Sequence, residues 1–226
     1  MPIRTGAVIL AIIACLGAAT IRTDAAIPPS PGFDFEILRD GTPIGRHTID
    51  FRREGDDLHV DIAIDIAVEL MFVTVFRYTH RNREIWRDGR LVSIETRTDD
   101  DGTPYRVSGR ATEDGFSVEG SGGSFLAPAD IVPTSYWSPR TPGQTTLLDT
   151  QRGRIISVAI TPGETERVTT SAGMIDAQRF VVDGDVRLSL WYTPAGEWAK
   201  IAFEARGDRV EYRPNGVLPD AAPIAR

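Results

Sequence analysis

A chain of 226 residues, 41% hydrophobic and 25% charged, is neither disordered nor fibrous, and it is long enough to bury a core without a metal or disulfide staple. The formal net charge of −7 sets an acidic surface against phosphate backbones and disfavours a nucleic-acid partner unless a local basic stripe overrides it. The single cysteine, Cys15, excludes an intramolecular disulfide and a thiolate metal site.

The chain opens with Arg4 and then the unbroken apolar run Ala7 to Ala19. That run is shorter than the roughly 20 residues a bilayer requires. A basic start, an apolar stretch and small residues at its end predict a secretory signal over residues 1–19, cut after Ala19, with Ala25 as the alternative. Its removal takes away Arg4 and turns a charge of −7 into −8. The expected location is periplasmic or secreted, with no transmembrane helix in the mature chain. Ile12-Ile13-Ala14-Cys15 also resembles a lipobox, in which a lipid on Cys15 would anchor the domain to a membrane. The competing reading makes Cys15 one more apolar residue of the leader. Residues 20–32, with Pro28, Pro29 and Pro31, read as an extended spacer.

From residue 33 to residue 213 the pattern has period two. Leu58, Val60, Ile62, Ile64, Ile66, Val68 and Leu70 share one face of a strand, while His59, Asp61, Asp65 and Glu69 share the other. One face is packed and one is wet, as antiparallel sheets allow. Asp40-Gly41, Asp88-Gly89, Asp101-Gly102 and Asp114-Gly115 separate strand-like runs with the dipeptide that suits tight hairpins. The predicted fold is all-β and mainly antiparallel: a strongly curved meander sheet or half-barrel with one short helical segment. Residues 33–213 form a single domain in this reading, and 214–226 a flexible tail.

The segment 127–137, with Pro128 and Pro133, interrupts the strands. It is expected to hold a helical turn or two and to plug one open side of the curved sheet.

The chemistry-bearing residues are sparse. His47, His59 and His80 share no metal-ligand spacing, and no metal or cofactor is expected. His59 lies on the polar face; His47 and His80 share parity with apolar neighbours and read as inward-pointing core residues. Asp99-Asp100-Asp101 reads as a hairpin turn rather than a calcium loop. No nucleophile elbow or P-loop occurs, and no catalytic residue is assigned.

The stretch 76–86 places Phe76, Tyr78, His80 and Trp86 on one face and Arg77, Arg81 and Arg83 on the other. The plainer reading is an aromatic core face backed by solvated arginines paired with Glu95 and Glu119. The sharper one is a groove whose aromatic wall holds an apolar ligand, with Arg81 and Arg83 at its rim for an anionic head. Tyr136 and Trp137, on the irregular segment, are a second ligand-facing pair.

Several stretches carry a resemblance: Phe35 to Gly45, Tyr78 to Asp101, Pro133 to Trp137, Leu148 to Gly153 and Leu190 to Gly207. Together they resemble an uncharacterised family of exported bacterial proteins known only as a domain of unknown function. The resemblance brings no activity and no catalytic residues. More loosely, the closing Leu190-Trp191-Tyr192 hairpin looks like that of lipoprotein-carrier half-barrels, which implies a concave face that shelters acyl chains.

Three functions follow as expectations. The first is non-catalytic binding of a lipid or other apolar small molecule in the cell envelope. The second is a structural or protein-interaction module of the envelope, its partner unspecified. The third is a hydrolase of envelope glycan or lipid with His80 as its base.

Overall fold

The computed structural model describes residues 32–216, apart from the side chain of Leu70. The predicted leader, Cys15, the spacer through residue 31 and the tail beyond 216 lie outside the described residues.

Eight strands come first: β1 (Gly32–Arg39), β2 (Thr42–Glu54), β3 (Asp57–Leu70), β4 (Val73–Arg87), β5 (Arg90–Asp100), β6 (Thr103–Thr112), β7 (Gly115–Gly120) and β8 (Gly123–Ala127). After an irregular segment come β9 (Thr146–Leu148), β10 (Ile155–Thr170), β11 (Gly173–Gly184), β12 (Leu188–Tyr192), β13 (Trp198–Ala205) and β14 (Asp208–Pro214). They form one 14-stranded antiparallel sheet in the order β8-β7-β6-β5-β4-β3-β2-β1-β14-β13-β12-β11-β10-β9. The predicted all-β, curved antiparallel fold is the observed one. β1 and β14 meet in the middle of the wall, with Phe35 opposite Pro214 and Ile37 opposite Tyr212.

The sheet curls because its strands are bulged. Register shifts interrupt the β1–β2 ladder at Ile37/Leu38, β3–β4 at Val68/Glu69, β4–β5 at Ile85/Trp86 and β12–β13 at Trp191/Tyr192. Each adds local twist and bends its strand. The curl brings the two regions flanking the edges into contact without closing the ladder. The Ser121 amide donates to the Arg152 carbonyl at 3.0 Å, and a Cβ on Gly120 would lie 2.6 Å from the Gly153 oxygen. Only glycines allow backbones to approach so closely.

The segment between the edge strands, residues 128–145, crosses one end of the barrel. Ile131, Val132 and Trp137 are buried within it. Its backbone is taken up by β9: the Thr134 amide donates to Leu148 at 2.9 Å, and Leu148 donates to Val132 at 2.9 Å. The helical turn expected over 127–137 falls just beyond it, as a 3-10 turn at Thr141–Gly143. The extended backbone that β9 requires leaves no room for a helix earlier. Arg140 fastens the segment to the β4–β5 turn, donating to the Gly89 carbonyl at 2.7 Å, and Tyr192 donates to the Tyr136 carbonyl at 2.7 Å.

The opposite end is open. There lie the tight turns at Asp40-Gly41, Met71-Phe72, Asp101-Gly102 and Arg206-Gly207, all with positive φ at both central residues, together with the loop Asp149 to Arg154. The chain thus forms a curled wall, plugged at one end and open at the other.

Candidate functional site

The apolar face of β3 divides along its length. Leu58, Val60 and Ile62, nearer the plug, are buried in the core, whereas Ile64, Ile66 and Val68 are only half-buried and line a cavity. This mouth chamber, about 590 Å³, lies at the open end. Phe76, Phe203 and Val210 add to its apolar wall, and Arg39 and Asp208 stand at its edge, with the Arg39 Nε donating to Asp208 at 2.9 Å.

A second chamber of about 520 Å³ adjoins it on the side of the plug, with Thr134, Ser135 and Tyr136 in its wall. The two share walls at Ile64, Tyr78, Gln151, Phe203 and Tyr212. The Tyr78 hydroxyl donates to the Gln151 side-chain Oε1 at 3.4 Å, and the Gln151 Nε2 donates to Asp100 at 3.2 Å. These bonds fix the loop after β9 as a partition between the chambers. Volumes of this size lie in the range that holds a small-molecule ligand.

The inner chamber sets polar groups among apolar walls that include Ile62, Ile156, Leu188 and Phe203. His47, Ile64 and His80 face one another across β2, β3 and β4. His80 Nδ1 is 2.7 Å from the Thr98 hydroxyl. Neither ring nitrogen of His47 has a hydrogen-bond partner within the protein, although the residue is buried. Burial, with His80 nearby, lowers the His47 pKa to about 3; burial and the charge of Arg81 lower that of His80 to about 4. Both rings are neutral at pH 7, so each offers one donor and one acceptor. Arg152, Arg154 and Arg187 also line this chamber.

Below the chambers, Glu84 is fully buried. Trp86 and Trp137 donate their indole N–H groups to its Oε2 at 2.8 and 3.0 Å, and Asn82 donates to Oε1 at 2.7 Å. Burial raises the Glu84 pKa, opposed by these hydrogen bonds and by Ser135. With donors on both oxygens, this carboxylate is a structural tie between the wall and the plug.

The residues singled out in the sequence fall in three places. Phe76 lines the mouth chamber, Tyr78 lines both chambers, and His80 and Tyr136 line the inner one. Trp86 and Trp137 are buried against each other, ring centroids 5.1 Å apart, around Glu84. Arg81 and Arg83 are exposed on the outer face of β4, where they pair with Asp65 at 2.7 Å and Asp61 at 2.9 Å. Those partners come from β3; Glu95 faces Arg83 across the β4–β5 ladder, while Glu119 pairs in register with Ser108. His59 lies 3.3 Å from Glu54. His47, Asn82 and Glu84 went unassigned as site residues, although even-number parity along β4 places Asn82 and Glu84 on the same face as His80 and Trp86. Among the described residues no group of three or more His, Cys, Asp or Glu is placed to hold a metal ion. No helix among them is long and apolar enough to cross a membrane.

A family model described as a domain of unknown function, DUF6134, matches residues 35–215. No curated protein matches the chain. Among solved structures, the chain is similar to a crystal structure from Brucella abortus described as a beta-barrel-like protein of domain of unknown function DUF1849. The two are 11% identical; the match covers 81% of this chain and 94% of that one, with a TM-score of 0.58. That likeness concerns the fold.

Proposed function

The chain belongs to the DUF6134 family of domains of unknown function, and for this member we propose an exported, non-catalytic binding protein whose barrel lumen takes up one amphipathic molecule. The apolar chain of the ligand lies in the mouth chamber against Ile64, Ile66, Val68 and Phe203. Its polar end enters the inner chamber beside His80 and Asn82, with His47, its ring nitrogens buried and unpartnered within the protein, in the same wall. The observation that carries this reading is the pairing of two joined cavities, one walled almost wholly by apolar side chains and the other carrying histidine, asparagine, threonine and arginine side chains among apolar ones. A buried polar group without a partner is costly, and a ligand that supplies the missing bonds recovers that cost. The leader expected over residues 1–19 supports an envelope location for this activity.

The test is binding of a fluorescent acyl probe to protein purified without denaturation, paired with native mass spectrometry of the same sample. Saturable probe binding, competed by the molecule that organic solvent extracts, supports the reading. Absence of both probe binding and extractable mass overturns it.

A further inference from the structure

The longest hairpin of the barrel ends in an apolar tip. β2 last pairs with β3 at Gly45–Ile66, and β5 last pairs with β4 at Asp100–Tyr78. The Asp101 amide still donates to the Arg77 carbonyl at 2.8 Å, and residues 68–76 stand beyond the wall as a two-stranded ribbon with no ladder partner on either side. At the strand rise of about 3.4 Å per residue, the ribbon projects on the order of 15 Å. At its turn Met71 is 85% exposed and Phe72 fully so, with Val73 at 62% and Val75 at 50%.

Two observations separate this tip from ordinary surface. Met71 and Phe72 both have positive φ, 48° and 69°. The matching turns at residues 40–41, 88–89, 101–102 and 206–207 place glycine at the second position, as that geometry favours. Here the chain instead holds two bulky apolar residues in a strained backbone and in water. The ribbon is also continuous with the mouth chamber, because Val68, Val75 and Phe76 line it and the Arg206 guanidinium sits 5.1 Å over the Phe76 ring.

We infer that the β3–β4 tip inserts Met71, Phe72 and Val73 into the headgroup–acyl boundary of a lipid bilayer, holding the open end of the lumen against the membrane. The tip is convex and small. It presents far less than the roughly 800 Å² per partner of a standard protein interface, whereas a few apolar side chains suffice for reversible adhesion to lipid. Glu69, exposed and paired with Thr74 just below the turn, limits insertion to the tip itself. The net charge of −7 gives no attraction to anionic headgroups, so the adhesion is apolar and insensitive to salt. This inference rests on the proposed function only for what the lumen holds; adhesion of the tip is argued independently of it.

The experiment is flotation with phosphatidylcholine–phosphatidylethanolamine vesicles of wild type and of the double variant Met71→Asn/Phe72→Gly. The variant supplies the residues the turn geometry favours, so it folds. Wild type is expected to float with the vesicles at low and high salt, and the variant to lose at least tenfold in partitioning while binding the acyl probe in solution as before. Wild type that stays out of the lipid fraction overturns the inference, as does a variant that floats equally well. Flotation that requires anionic lipid and disappears in salt also overturns it, and so does self-association through the tip without vesicle adhesion. Because probe binding is measured without vesicles, failure of the lumen reading and failure of this one give different results.

Discussion

Trp137, carried by the segment that crosses the closed end of the barrel, donates its indole N–H to the buried carboxylate of Glu84 on β4 at 3.0 Å. Trp86 donates to the same oxygen at 2.8 Å. Plug and wall thus share one acceptor, and removing it orphans two buried indoles. Glu84→Ala should cost about 3 kcal/mol or more, and Glu84→Gln, which keeps one oxygen acceptor, about 1–2 kcal/mol. Urea unfolding followed by tryptophan fluorescence checks both; a Glu84→Ala variant as stable as wild type would show that the tie carries no load.

Stability should fall as pH drops below neutrality. The folded-state pKa values of His47 and His80 are depressed to about 3 and about 4, so their contribution is intact above about 6.5 and is lost as pH falls toward those values. Each supplies a slope of about 1.4 kcal/mol per pH unit inside that window. Glu84, with a raised pKa, acts in the opposite direction: its contribution is present at low pH and is lost as pH rises through its folded value. Urea melts between pH 7 and pH 4.5 measure the slope, and His47→Gln and His80→Gln should each reduce it by about one proton's worth. An unchanged slope in both variants would rule out their neutral burial.

Filling the lumen should abolish ligand uptake without unfolding the protein. Ile64 borders both chambers and is only half-buried, so a larger side chain enters space rather than packed core. Ile64→Trp is expected to weaken acyl-probe binding at least tenfold, at a stability cost of about 1 kcal/mol, below the usual penalty for overpacking a filled core. Equal probe affinity in wild type and variant would place the ligand elsewhere.

The seam should tolerate no side chain. A Cβ on Gly120 would meet the backbone of Arg152 and Gly153 at 2.6–2.7 Å. Gly120→Ala is expected to destabilise by about 2 kcal/mol and to raise hydrogen exchange at the Ser121 amide, which donates across the seam. Wild-type exchange at that amide would mean the edges open independently of this contact.

Period-two patterning made the sheet readable because each strand has one packed and one wet face. The Asp-Gly turns at 40–41, 88–89 and 101–102 take the positive φ that dipeptide favours. The turn at Met71-Phe72 carries no such dipeptide, so its exposure is visible only in the fold. The division of β3 into a core half and a cavity-lining half was equally silent. Ile62 and Ile64 are chemically identical and both border the inner chamber, yet one is buried and the other half-buried, a difference that only the folded wall decides. Glu84 shared parity with His80 and Trp86 throughout, but a lone carboxylate on a strand rich in charge points to nothing until both indoles are seen to converge on it.

The pairing of β1 with β14 has a temporal consequence. Phe35 finds Pro214 only after the whole intervening chain has been synthesised, and the edges of the finished sheet, β8 and β9, come from the middle of the described residues. Hairpins such as β3–β4 zip locally, but the wall gains its continuity from the most sequence-distant strand pair. Such high contact order makes the final closure slow relative to hairpin formation. A chain still emerging from a ribosome or a translocation pore therefore lacks a continuous wall around the lumen. Deleting β14 would leave β1 and β13 as two raw edges in the centre of the barrel, an invitation to pair with another copy.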